Sequence, residues 1–307
     1  MTNELTGSVV LGVDGTPGSA GAMRYAVAEA RRTGAELRLV HVSPGYTTMP
    51  AMPSVPLEIA AVGAEILERA RADVREIDAE LTVSTTRRTG SRIRELVDSS
   101  RDSRVLVLGH ETRGPVERFI GGGTTASVAA HALVPVLVIP SDWEPETDRG
   151  PVVVGLKSRA HAEELLAAAF HRAAAAGAPI HVLHAWQLPD QYIDRIEARA
   201  NGEYWLTRGS ELVEEVLAPW REDYPDVPVT VSVVHGDPAR ALVHAARDAR
   251  LLVLVRRAPG RVLGSHLGGT GRALLRAVSC PVEVVPGTNV VPDTPGLELE
   301  ESGALLR

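Results

Sequence analysis

Ser8–Asp14 reads SVVLGVD, and Pro151–Lys157 reads PVVVGLK. The second stretch repeats the first, setting Gly155 on Gly12 at a spacing of 143 residues. Leu37–Val42 (LRLVHV) and Ile180–Ala185 (IHVLHA) keep that spacing and set His184 on His41. Further along, Gly90 matches Gly236, Gly122 matches Gly268 and Pro135 matches Pro281, each at a spacing of 146. Colinear correspondences of this kind define a tandem duplication, with three extra residues between Ala185 and Gly236. The seam falls in Ser141–Gly150, a stretch rich in Pro, Asp and Glu.

Each half alternates short apolar runs with helical patterns. In the first half Val9–Val13, Leu37–Val42, Leu81–Arg87, Val105–Leu108 and Val136–Ile139 read as strands. Helices are predicted over Ala22–Arg32, within Val55–Ala79, from a cap at Ser91 to about Ser100, and over Thr124–Leu133. The second half repeats the scheme, with strands near 152–156, 180–185, 229–235, 251–255 and 282–285. Asp237-Pro238 is a helix-start signal there, a cap residue followed by proline at the first turn. Strands alternating with helices imply right-handed crossovers and a parallel sheet covered on both faces. The predicted fold is therefore α/β: two tandem doubly wound domains, each a five-stranded parallel sheet. The expected divisions are 1–142, 143–290 and a mobile tail over 291–307. The last strand of each half is apolar and would be an aggregation hazard at a sheet edge. The two are expected to pair with each other about a pseudo-twofold axis.

Composition narrows the function. A chain of 307 residues suits two domains at roughly 100–200 residues each. A net charge of −7 offers no basic stripe for phosphate neutralisation and argues against a nucleic-acid surface. No apolar stretch reaches the roughly 18 residues of a membrane span. Met1–Thr6 lacks the blocks of a signal peptide, so the expected location is the cytoplasm. The single cysteine, Cys280, excludes an internal disulfide and a cysteine-based metal site, and reads as a small buried hydrophobe. Lys157 is the only lysine in the chain.

Doubly wound sheets bind ligands beyond the carboxyl ends of their strands, where strand order reverses. After the first strand stand Gly12, Val13 and Asp14. After the fourth come Gly109-His110-Glu111-Thr112-Arg113 and then Gly122-Gly123-Thr124-Thr125 at an expected helix start. Glycines at a helix N-terminus let backbone N–H groups approach an anion, threonine hydroxyls add donors, and Asp14 can accept from a base or ribose. These features fit a nucleotide cradle; the alternative is a glycine-rich turn that only permits close packing. The chain has no G-x4-G-K-[S/T], no G-x-S-x-G and no G-x-G-x-x-G after the first strand. A P-loop ATPase and a serine hydrolase of the elbow type are excluded, and NAD binding loses support.

The order V-x-G-V-D at the first strand, G-x2-G-x9-G-[S/T] after the fourth, then a helix and P-V-x-V, resembles the universal stress protein family. It does so over residues 7–140 and 151–286, in the manner of tandem two-domain members of actinobacterial type. The resemblance implies strand order 3-2-1-4-5 and a stress-associated regulatory protein that binds ATP, alone or with Mg²⁺, with slight or no hydrolysis. It also implies a dimer, with further protein partners unspecified. On this reading Asp14 takes the adenine-side aspartate position and Val42 the adenine contact after the second strand. Gly109 and Gly122 are the first and third motif glycines. Thr112 replaces the second glycine, and Gly123 stands where Ser or Thr is usual, with Thr124 and Thr125 following.

The second half departs further. Lys157 replaces the aspartate, Val255 and Ala258 replace Gly109 and Thr112, and Arg256 and Arg257 lie between them. Gly155, Gly268, Gly269 and Thr270 survive. The half is either a decayed site whose charges pair with neighbouring carboxylates or a changed anion site. His181 and His184 lie three apart on a strand and face opposite ways, so they cannot chelate one metal. His41 and His184 are expected to bond to backbone. Three readings follow: a nucleotide-binding regulator with one competent half, a scaffold acting through protein contacts, and a weak ATPase or adenylyl transferase. For the last, His110 and Glu111 lie in the right loop, but no catalytic base is identified.

Overall fold

In the computed structural model, residues 7–45, 55–110, 118–256 and 267–287 are described. The expected tail, 291–307, lies outside them. Among these residues the β-branched runs form ten strands of four to seven residues. They are Val9–Gly12 (β1), Leu37–Ser43 (β2), Val83–Thr89 (β3), Val105–His110 (β4) and Val136–Pro140 (β5), then Val152–Gly155 (β6), Ile180–Trp186 (β7), Val229–His235 (β8), Leu251–Arg256 (β9) and Val282–Pro286 (β10). The intervening helices are Ala20–Thr33 (α1), Val55–Ile77 (α2), Arg92–Ser99 (α3), Arg118–His131 (α4) and Ala162–Ala176 (α5), followed by Gln191–Ala200 (α6), Gly202–Asp223 (α7), Pro238–Ala245 (α8) and Gly269–Ala277 (α9).

The two expected sheets are one. Its order is β3-β2-β1-β4-β5-β10-β9-β6-β7-β8, so each half carries the same 3-2-1-4-5 order. Among the described residues pairing is parallel within each half and antiparallel where β5 meets β10. The junction register pairs Val138 with Val282, Leu137 with Glu283 and Val136 with Val284. Leu137 and Glu283 are equivalent residues of the duplication, so the pseudo-twofold axis passes through that pair. The two apolar edges thus close on each other, as expected.

Both faces of the sheet are covered, which is why its strands read as apolar runs rather than alternating ones: Val9, Val10 and Leu11 are wholly buried. One core layer joins α1, α2, α5 and α7 to the sheet around Met23, Leu67, Phe170 and Val213. The other joins α3, α4, α8 and α9 around Leu96, Val128, Leu242 and Leu274. Each layer runs unbroken across the seam.

Charges are buried at that seam. Arg172 of α5 donates from Nη1 to Glu29 Oε1 of α1 at 2.7 Å, and from Nε and Nη2 to Glu283 of β10 at 2.8 and 3.0 Å. Arg32 closes the group on both oxygens of Glu29. Burial alone would raise Glu29, but the charge of Arg172 and the bonds from Arg32 outweigh it and hold the carboxyl at about 2. Tyr25 packs edge-on against Trp143 beside this group, its ring centroid 4.9 Å away.

Two local expectations are corrected. The helix predicted from Thr124 begins at Arg118, so Gly122 and Gly123 lie inside it rather than at its start. Glycine costs about 1 kcal/mol in a helix interior, the reason the sequence reads there as a boundary. Ser91 sits at the N-cap position of α3, yet its side chain makes no capping bond. The three extra residues of the second half fall in the connection between β7 and α7 that contains α6, a helix capped by Asp190 on the amides of Tyr192 and Ile193. Asp237 caps α8 through the Arg240 amide, as its sequence predicts.

Candidate functional site

In the first half strand order reverses between β1 and β4, so the ends of those two strands define the candidate site. Asp14 stands just beyond β1 and is exposed. Its Oδ1 accepts from the Thr16 amide at 2.9 Å and the Thr16 hydroxyl at 2.8 Å, a local turn that fixes the carboxylate. Oδ2 has no partner among the described residues and remains open to a donor from a ligand. The preceding carbonyl, of Val13, accepts from His41 Nδ1 at 2.9 Å, while the Val13 side chain is buried. The second half repeats that bond from His184 Nδ1 to the Leu156 carbonyl at 2.9 Å. Both histidines bond to backbone as expected, and burial holds His184 below its ordinary pKa against the opposing pull of that bond.

The glycines of the strand ends have packing roles. A Cβ on Gly12 would lie 2.8 Å from Leu108 Cδ2, and one on its counterpart Gly155 would lie 2.8 Å from Leu242 Cδ1. A Cβ on Gly109 would stand 2.5 Å from the Gly18 carbonyl oxygen, in the short 3-10 turn Pro17–Ser19 that precedes α1. Gly109 is therefore required by this close approach of two backbones, whatever else it contacts. Where the first half has Gly18 the second has His161, the only non-glycine residue with positive φ (59°) among the described residues. Val255 stands where Gly109 does, so that turn is built differently.

The other expected site residues divide. His110 turns to the junction, lining a crevice with Pro140, Leu275 and Cys280. Val42 has its side chain buried in the core layer of Leu96 and Leu106, which leaves only its main chain at the strand end. Glu111, Thr112 and Arg113 lie outside the described residues. Gly122 is in α4 with Gly123, Thr124 and Thr125; Gly123 is exposed and the threonines are half-buried. Because α4 starts at Arg118, its free first-turn amides precede all four, a correction to the expected cradle. Ser43, one residue beyond the expected second strand, was missed: its hydroxyl is buried at the end of β2 with no partner among the described residues.

The second half has a different chemistry at the same place. Lys157 is exposed beyond β6. Arg256 does not line the strand ends with it: Nη2 donates to the Ala132 carbonyl of the first half at 2.7 Å, so its charge is drawn into the seam. Arg257 and Ala258 lie outside the described residues. Gly268 is the N-cap of α9, and Gly269 and Thr270 open that helix, the arrangement expected of the first half. Beyond β7 and β8 the space is filled by side chains. Trp186 stacks on Trp205 at 5.6 Å and packs on His235 at 4.3 Å, while His235 Nε2 bonds Asp194 of α6 at 3.0 Å. His181 pairs with Ser232 on the opposite face of β7 from His184.

The sheet order and the equivalent strand ends of the two halves define a tandem doubly wound α/β protein. The model of the universal stress protein family matches residues 6–140 and again 149–286. A universal stress protein of Mycolicibacterium smegmatis is 32% identical over 288 residues, covering 90% of this chain and 96% of that protein. One from Mycobacterium tuberculosis, Rv2005c, is also 32% identical over 90% of this chain. A universal stress protein structure from Archaeoglobus fulgidus shares the fold, with TM-score 0.68 at 17% identity over 91% of this chain and 98% of that one. The chain belongs to the universal stress protein family, as a tandem two-domain member. No helix among the described residues is long and apolar enough to cross a membrane.

Proposed function

We propose that this universal stress protein is a regulatory binding protein that holds an adenine nucleotide, ATP alone or with Mg²⁺, in its first half. We further propose a cytoplasmic homodimer that passes nucleotide occupancy to a protein partner. The observation that carries the reading is the carboxylate of Asp14. It is fixed by the Thr16 turn, open at Oδ2, and set where strand order reverses. Such an acceptor suits an amino or ribose hydroxyl donor. The second half offers a cation, Lys157, in its place and is assigned no adenine nucleotide.

The test is calorimetric titration of ATP with Mg²⁺ into the full chain, Asp14→Ala and Asp14→Asn. The asparagine keeps an oxygen for the Thr16 turn and removes the open carboxylate oxygen. One site per chain, weakened about tenfold or more in both variants, is the expected result. Two sites per chain would contradict the reading of Lys157. The burial of Val42 and the early start of α4 favour a second reading, a scaffold acting through protein contacts. Absence of binding at about 1 mM ATP selects it.

A further inference from the structure

We propose that the seam between the two halves holds a second binding site, for a small oxyanion, in a cavity of about 100 Å³. It lies between α1 of the first half and α5 of the second, and Tyr25, Glu29, Arg32, Trp143, Arg172 and Arg250 are among its walls. A single water needs only about 10–15 Å³ on the same measure, so the space takes a group of several atoms.

The walls are short of acceptors. Glu29 Oε1 already takes bonds from Arg32 at 2.8 Å and Arg172 at 2.7 Å, and Oε2 takes a third from Arg32 at 3.1 Å. Asp148, the other carboxylate of the lining, takes Arg250 Nη2 at 2.5 Å. Each guanidinium has five N–H donors, and these bonds use only some of them. Trp143 also lines the cavity, and its indole N–H is buried with no partner among the described residues. Burial raises the Tyr25 hydroxyl above its ordinary pKa against the pull of Arg172, so it stays protonated and can also donate.

A ligand that meets this surplus must accept from several sides at once. Phosphate and small carboxylates do so, and guanidinium groups grip both in a forked geometry. A cation would add charge beside three arginines and find, of the lining carboxylate oxygens, only Asp148 Oδ1 without a bond. Glu283, behind Arg172, brings the group close to neutrality. Recognition therefore rests on donors rather than net charge, and the expected affinity is in the millimolar range. Since the walls come from both halves, the bound ion ties them together at their shared axis.

The test titrates inorganic phosphate, and separately succinate, into the full chain, Trp143→Phe and Arg250→Gln. The phenylalanine keeps the ring packed against Tyr25 and removes only the N–H. Saturable binding of one ion per chain, weakened about tenfold by each variant with ATP binding unchanged, supports the site. Preference for phosphate or succinate identifies the ligand as an inorganic or a carboxylic oxyanion. Binding of neither at about 10 mM would overturn the proposal and leave the cavity to water. Equal binding by both variants, or displacement by ATP, would equally overturn it.

Discussion

Glu29 and Arg172 occupy the same position in the two halves, 143 residues apart, and their side chains meet beside the pseudo-twofold axis at 2.7 Å. Positions beside a twofold face their own copies, and two glutamates or two arginines buried there would repel. Here one of the pair is acidic and the other basic. Leu137 and Glu283, the equivalent pair on the axis itself, have diverged too, and Glu283 supplies the second carboxylate for Arg172. Each half is thus fitted to the other half and not to itself.

The pH dependence of folding follows from that contact. Glu29 is held at about 2 in the folded chain, against 4.5 for a free glutamate. A depressed carboxylate contributes stability that is whole above about pH 4.5 and is lost as pH falls toward 2. The difference is on the order of 3 kcal/mol. Urea denaturation between pH 7 and pH 2.5 is expected to show this loss, and Glu29→Gln to flatten it. An equal slope in the variant would assign the acid sensitivity to other groups.

Val138 is 3% exposed and lies opposite Val282 in the antiparallel junction. Val138→Asp places an unpaired charge in a dry strand pair, at a cost of several kcal/mol. Insoluble or unfolded protein is the expected outcome. A soluble, natively folded monomer would contradict the pairing.

Gly109→Ala separates packing from ligand contact. The added Cβ would stand 2.5 Å from the Gly18 carbonyl, so backbone must shift, at about 1–3 kcal/mol. Thermal unfolding without nucleotide should register that loss. Unchanged stability combined with lost ATP binding would assign the glycine to the ligand instead.

Cys280 is 6% exposed, and burial pushes its thiol up to about 12 against hydrogen bonds from backbone amides. The thiolate is the reactive form, so a disulfide reagent at pH 8 should modify it only after denaturant is added. Rapid labelling of the native chain would show that the α9 side of the seam opens.

The duplication was legible because it is written in strand cores and turn residues, which keep their spacing. Gly12 and Gly155, or His41 and His184, carry the same packing and the same backbone bond in both halves. All ten strands fall within about two residues of their expected bounds. The strand pairing at the seam was also readable, from apolar edges that could not be left open. The site was less so. Propensity placed the start of α4 at its glycines, but the helix runs through them from Arg118. Arg256 was grouped with Lys157 because both fall at expected strand ends of the second half, whereas its side chain reaches the Ala132 carbonyl across the seam. Glu29, Arg172 and Glu283 belong to no motif; only the 143-residue spacing, applied to charged residues, could have linked the first two.

The antiparallel meeting of β5 and β10 has a geometric outcome for the whole molecule. All strands of one half run with β5 and all strands of the other run with β10, so their carboxyl ends open at opposite poles of the sheet. Asp14 looks out from one pole and Lys157 from the other. No ligand of ordinary size can touch both, and two partners could dock at once without collision. The duplication has made a bipolar molecule, with a carboxylate at one mouth and an ammonium group at the other, and the two halves share its equator.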